Sequence, residues 1–211
     1  MERVDILCIQ EHWLYNYENP SVKELIGGRN HQTKCVDDED PISPYLRPKG
    51  IGGVMTVWSE DMDQHITQLP DGSSRVIVTQ VGKDKPVFLI NTYMPTSQHN
   101  NMHYVEVLDE VYEIMEKYRR KGEVVWLGDL NGSFSRSTPS ANDKKLRAFC
   151  NELQINIPSA TKPTYHHFIG NINSRIDHIL TTSGSPIVKK VRVDERHPLN
   201  MSPMTQYSLR S

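Results

Sequence analysis

E-V-V-W-L-G-D-L-N fills residues 123–131, and how it is read decides the fold. A short apolar run bounded by polar residues has the length and composition of a buried strand. The run ends in Gly128, Asp129 and Asn131, so the strand leaves the core carrying a carboxylate and a carboxamide at its tip. Three other stretches repeat the design. DILCI runs into Gln10 and Glu11, VFLI runs into Asn91 and Tyr93, and SRIDHIL carries Asp177 inside an otherwise apolar strand. Strand ends hold side chains in defined places, so polar groups converging there suit a site.

Around these four tips the chain alternates strands with helices. Residues 4–11, 50–59, 85–93, 175–182 and 189–193 read as strands, as does the closing stretch Gln206 to Leu209. QHITQLP and SSRVIVTQV read as two more, with a turn at Asp71-Gly72 between them. The clearest helix covers 104–120, with an apolar stripe of Val105, Leu108, Val111, Tyr112 and Met115. Lys117, Arg119, Arg120 and Lys121 crowd its last turn, where they offset the helix dipole. A second helix covers 142–153, with Leu146, Phe149, Cys150 and Leu153 on one face. A short one, SVKELI, has Asn19 as cap, Pro20 in its first turn and Gly27-Gly28 as its stop. Residues 29–49 read as a loop. No repeat or linker interrupts the pattern, which specifies one layered α/β domain over residues 1–211.

Bulk properties narrow the function classes. With 24 basic and 26 acidic residues the net charge is −2, so no global positive field draws in polyanions, and any such binding is local or runs through a metal ion. The three cysteines match no zinc spacing and read as free thiols of an intracellular protein. No stretch approaches the ~20 apolar residues of a membrane span, and the acidic, short-runged N-terminus is no signal peptide.

The tips together carry the carboxylates of Glu11, Asp129 and Asp177, carboxamides that include Asn91 and Asn131, and the phenol of Tyr93. Hard oxygen donors of this kind are what Mg²⁺ or Mn²⁺ takes, and amide and phenol hydrogens can hold phosphate oxygens. Other chemistries lack their parts. There is no Gly-x-Ser-x-Gly turn. The glycines of GIGG (50–53) precede a strand rather than a helix, so they read as turn or bulge formers and not as a dinucleotide loop. The nine histidines show no zinc-site spacing.

ILCIQEHW, INTYMPT, WLGDLNGSF and SRIDHIL, in this order, resemble the endonuclease/exonuclease/phosphatase family, which includes apurinic endonucleases, deoxyribonuclease I and inositol polyphosphate phosphatases. KGIGGVMTVW, KPTYHHFIGNINSRIDHIL and RHPLNMSP narrow the resemblance to the apurinic-type endonuclease domain of invertebrate non-LTR retrotransposons. The resemblance implies a four-layer α/β sandwich of two mixed β-sheets flanked by helices. It also implies roles. Glu11 holds the divalent metal, and Asp129 orients or activates the attacking water. Asn131 and Tyr93 bind the scissile phosphate, with Asn91 and Ser202 at the substrate. Asp177 holds a histidine in position. DNA is the implied substrate, and the expected place of action is intracellular, with the nucleus one such place.

The sequence departs from the family in two places. The usual Ser-Asp-His turn aligns with Ser202-Pro203-Met204. A thioether can neither donate a charged hydrogen bond nor exchange a proton. Losing a positioned acid, base or charge stabiliser lowers rates by about 10²–10⁴-fold. The chain also begins at the family's second strand, which makes it an N-terminally truncated domain that lacks the usual first strand and its metal-binding asparagine. The expectation is a metal-dependent phosphodiester hydrolase acting on DNA with impaired turnover. The alternatives are an inactive nucleic-acid-binding remnant and a small-substrate phosphatase of the same superfamily.

Overall fold

The computed structural model describes residues 5–43, 45, 52–96, 101–158, 162–166, 173–182, 185, 187–188, 191–194 and 206–209. A three-stranded sheet has the order β1 (Ile6–Gln10), β3 (Val54–Trp58), β2 (Asn30–Lys34), antiparallel throughout. A six-stranded sheet runs β4 (Ile66–Ser73), β5 (Val76–Val81), β6 (Val87–Tyr93), β7 (Glu123–Asp129), β11 (Asp177–Thr182), β8 (Ile155–Asn156). It is mixed, because β6 and β7 pair in parallel while its other pairs are antiparallel. A parallel pair needs a long crossover, and α2 (Asn101–Tyr118) lies in it. Two short antiparallel pairs complete the strands: β9 (Tyr165–His166) with β10 (Asn173–Ser174), and β12 (Val191–Asp194) with β13 (Gln206–Leu209). The closing strand therefore spans the residues expected of it.

Alternation along the strands builds the layers. On one face of the large sheet, Val76, Val78, Phe88, Ile90, Val124 and Trp126 meet α2 and α3 (Ala141–Glu152). On the other face, Leu89, Val125, Leu127 and Ile179 meet Ile6 and Cys8 of β1, while Ile77 and Tyr93 meet Val54 of β3. The small sheet turns its far face, Met55 and Val57, to Val22 of α1 (Asn19–Leu25), with Leu7, Ile9, Leu14 and Ile26 packed around them. The result is helix, sheet, sheet, helix, as expected. Each buried aliphatic or aromatic side chain contributes ~1.5–3 kcal/mol to holding the layers together.

Some local readings change. The loop expected over 29–49 contains β2, whose sequence NHQTK has no apolar residue to mark it. It is an edge strand, held by its ladder to β3 and by Gln32, which donates to Leu69 O and accepts from Thr79 Oγ1. Asp71-Gly72 is not the turn. β4 runs through it with a register shift between Gln68 and Gly72. Gly72 has φ +110°, and a Cβ there would stand 2.0 Å from Val76 O. The buried stripe of α2 is Tyr104, Val107, Leu108, Val111, Ile114, Met115 and Tyr118, while Val105 and Tyr112 are each 38% exposed. Asn19 opens α1 rather than capping it from outside, and Pro20 stands in its first turn.

Candidate active site

Period-two alternation carries the four tips to one end of the space between the sheets. Asn91 and Tyr93 follow Leu89 on the inner face of β6, Asp129 follows Leu127 on β7, and Asp177 precedes Ile179 on β11. Register then aligns them across strands: Tyr93 stands opposite Asp129, and Asp129 opposite Asp177. Asp177 opens β11 rather than interrupting it. Gln10 closes the row from the small sheet, donating to Asn91 Oδ1 at 2.6 Å.

Glu11 reaches the same place through a strained backbone. Its φ is +59°, and that of Trp13 is +60°. Two glycines hold the segment: Glu11 N–H donates to Gly53 O at 2.9 Å, and Trp13 N–H to Gly52 O at 3.1 Å. Gly52 and Gly53 have φ +107° and +83°, and a Cβ on Gly53 would lie 2.5 Å from the His12 ring. Gly52 and Gly53 are thus backbone devices, and what they shape is the Glu11 segment. Tyr93 Oη then donates to Glu11 Oε1 at 2.9 Å. The Arg75 guanidinium lies 5.2 Å from the centre of the Tyr93 ring. Its Nη1 donates to Tyr93 O.

Asn131 also sits at positive φ, +44°. Its N–H donates to Asp129 Oδ1 at 2.9 Å and its side-chain amide to Met94 O at 2.7 Å. Backbone bonds from Met94 N–H to Asp129 O and from Leu130 N–H to Ile176 O tie this turn to the neighbouring strands. Below it, His178 Nε2–H donates to Gly132 O at 2.9 Å. Asp143 accepts from Ser133 N–H, from Ser140 N–H and from Arg136. Asn91 is fully buried, and its amide donates to Ile9 O and Met55 O. Its geometry is that of a tie between the sheets beneath the rim.

Burial dominates the electrostatics. Asp177 is pushed up to about 7 by desolvation, against the Thr164 hydroxyl and the Arg175 charge, which both pull it down. Asp129 is held well above the usual carboxylate range by burial, then by the Asp177 and Glu11 charges, with the Asn131 N–H opposing. Two carboxylates facing each other in a dry site cannot both ionise without a counter-charge. Burial and the Glu11 charge raise Tyr93, so its phenol stays a donor. Burial lowers His178 to about 3, so it is a neutral imidazole.

Among the described residues no three His, Cys, Asp or Glu side chains form a ready-made metal cage. Mg²⁺ does not need one, since it binds through one or two carboxylates and keeps several waters. Glu11 offers such a carboxylate, oriented by Tyr93. The crowded Asp129–Asp177 pair supplies an electrostatic reason for a cation. The donor set fits a hydrated Mg²⁺ or Mn²⁺.

The structure therefore brings together Glu11, Tyr93, Asp129, Asn131 and Asp177, with Asn91 beneath them; Ser202, Pro203 and Met204 lie outside the described residues. Sequence reasoning passed over His178, Thr164 and Arg75. Period two alone puts His178 on the face opposite Asp177, so its supporting place was readable. Nothing local marks Arg75 or Thr164, which meet the site only through tertiary contacts.

Two sheets face to face, flanked by helices and lined at one end by carboxylates, amides and a phenol, define the nuclease and phosphatase class of α/β sandwich. The chain belongs to the Endonuclease/Exonuclease/phosphatase family, whose profile matches residues 1–203. Its fold is similar to the endonuclease domain of TRAS1, a telomere-specific non-LTR retrotransposon, at TM-score 0.72 and 17% identity, covering 98% of this chain and 86% of that one. It is also similar to the 3′ phosphatase NExo from Neisseria bound to a product DNA hairpin, at TM-score 0.70 and 21% identity, covering 98% and 88% of the two chains. No curated protein matches. No helix among the described residues is long and apolar enough to cross a membrane.

Proposed function

We propose that the chain is a metal-dependent phosphodiester hydrolase acting on DNA, with turnover lowered by Pro203-Met204. The observation that carries the reading is the single rim on which Tyr93 donates to Glu11 while Asp129 faces Asp177 and Asn131. Glu11 is the residue to hold Mg²⁺ or Mn²⁺, which supplies positive charge for the phosphate oxygens when bound. Asp129, its pKa raised by burial and by Asp177, takes the proton of the attacking water. Asn131 holds a phosphate oxygen, and so does Tyr93 once its one O–H turns from Glu11 to the substrate, as the water oxygen bonds to phosphorus and the bond to the sugar oxygen breaks. Met204 offers no proton to the departing oxygen, which must take one from water. DNA as substrate is in keeping with both structural relatives, one an endonuclease domain and one bound to a DNA hairpin.

Plasmid nicking with Mg²⁺, with and without chelator, tests this. Slow, chelator-sensitive nicking that vanishes in Asp129→Ala is expected. The double substitution Pro203→Asp, Met204→His is expected to raise the rate by about 10²-fold or more. Vigorous nicking by the unaltered chain would refute the impairment, and metal-independent nicking would refute the mechanism. The methionine also favours a second reading, a module that binds DNA without turnover. It predicts salt-dependent retardation of DNA in a gel with no nicking under any metal.

A further inference from the structure

We propose, resting on the hydrolase reading above, that Tyr104 is a positioning residue: it holds the Asp129 carboxylate in place through the peptide unit between Leu130 and Asn131. Tyr104 stands in α2, which packs on the outer face of the large sheet, and is 1% exposed. Its hydroxyl donates to Leu130 O at 2.8 Å. The N–H at the other end of that peptide unit belongs to Asn131 and donates to Asp129 Oδ1 at 2.9 Å. A peptide unit is planar, so a grip on its oxygen also aims its N–H. The phenol and the carboxylate are therefore joined through one rigid plate. A donor on the carbonyl also polarises the unit and strengthens its N–H as a donor.

The plate belongs to a held row. Asn142 of α3 donates to Asn131 O at 3.4 Å, His178 donates to Gly132 O at 2.9 Å, and Asp143 accepts from Ser133 N–H at 2.6 Å. Three successive peptide units are thus gripped by side chains, which fixes the dihedrals of Asn131 and keeps it at φ +44°. Gly132 lets the tyrosine come close, since a Cβ there would stand 3.0 Å from Tyr104 Oη. Burial raises the Tyr104 phenol, so it keeps its proton and stays a donor. A buried tyrosine needs some partner, and many would serve. Tyr118 of the same helix shows the ordinary case: its hydroxyl donates to Asp71 in β4, three strands along the sheet from β7.

Tyr104→Phe and Tyr118→Phe each remove one buried hydroxyl from the same helix, so they are compared. Proton–nitrogen NMR of the full chain in chelator follows the Asn131 amide. In the unaltered chain this amide is expected to exchange slowly. Tyr104→Phe is expected to move its resonance upfield and to speed its exchange about tenfold or more, and Tyr118→Phe to do neither. In nicking assays with Mg²⁺, Tyr104→Phe is expected to lower kcat about tenfold with KM for DNA unchanged, while Tyr118→Phe keeps both. An unmoved Asn131 amide or an unchanged kcat in Tyr104→Phe, a loss confined to KM, or an equal loss of kcat in Tyr118→Phe would each overturn the proposal and leave the hydrolase reading standing. Absence of chelator-sensitive nicking in the unaltered chain would bring down both. A rapidly exchanging Asn131 amide in the unaltered chain would overturn the proposal with no substitution at all, so the test stands even where a variant fails to fold.

Discussion

Single side chains at the rim have separable jobs. Tyr93 packs its ring against Val54 and Ile77 and spends its hydroxyl on Glu11. Tyr93→Phe keeps the packing and releases the carboxylate. We expect nicking to fall by about 10–10²-fold, while the urea midpoint moves by no more than ~1 kcal/mol of stability. A large loss of stability would mean that the hydroxyl is structural. Asp177 sits in the opposite balance. Its charge is disfavoured by burial, so the folded state keeps a proton that the unfolded chain gives up near pH 4. Between about pH 4 and 7 the folded state binds more protons, so this group's contribution to stability falls as pH rises and levels off above pH 7. Urea unfolding in chelator at several pH values should show that slope, and Asp177→Asn should flatten it. An unchanged slope in the variant would show that Asp177 is not its source.

Elements depend on a few backbone positions that no side chain can replace. Gly128 has φ +136°, and a Cβ there would stand 2.0 Å from Thr92 O on the parallel neighbour β6. The glycine before Asp129 is thus required by strand approach, whatever the chemistry. Gly128→Ala should cost more than about 3 kcal/mol and reduce soluble yield, read by urea unfolding. A near-neutral result would mean that β6 and β7 can part at their ends. Helix α3 begins with a capping box in which Ser140 Oγ accepts from Asp143 N–H and the Asp143 carboxylate accepts from Ser140 N–H. Ser140→Ala should cost about 1 kcal/mol by the same measurement. Asp143 also anchors Ser133, two residues past Asn131, so Asp143→Ala should lower stability and nicking together.

At the scale of the molecule the two sheets are joined at the rim by polar ties rather than by apolar contacts alone. Gln10 and Asn91 link β1 to β6 where the layers open, and farther in the contacts are Leu89, Val125, Leu127 and Ile179 against Ile6 and Cys8. A cation at the rim would relieve the carboxylate crowding that burial creates. Mg²⁺ should therefore raise the melting temperature, more so near pH 7.5 than near pH 5, because at the lower pH a proton already does that work. A shift independent of pH would place the ion away from Asp129 and Asp177.

What the sequence by itself determined was whatever is written in short periods. The buried runs VVWL and VFLI, the helices after them, and the polar residues at the strand ends were legible, because alternation and strand length leave little choice. The family motifs named the same residues. β2 was hidden because an edge strand needs only its ladder, and NHQTK carries no apolar mark. The bulge at Asp71-Gly72 was hidden because turn and bulge draw on the same residues. Only the tertiary structure brought Glu11 to Tyr93, 82 residues away in the chain, and set Asp129 against Asp177. Those meetings depend on how two sheets stack and in what register, and no local segment encodes either.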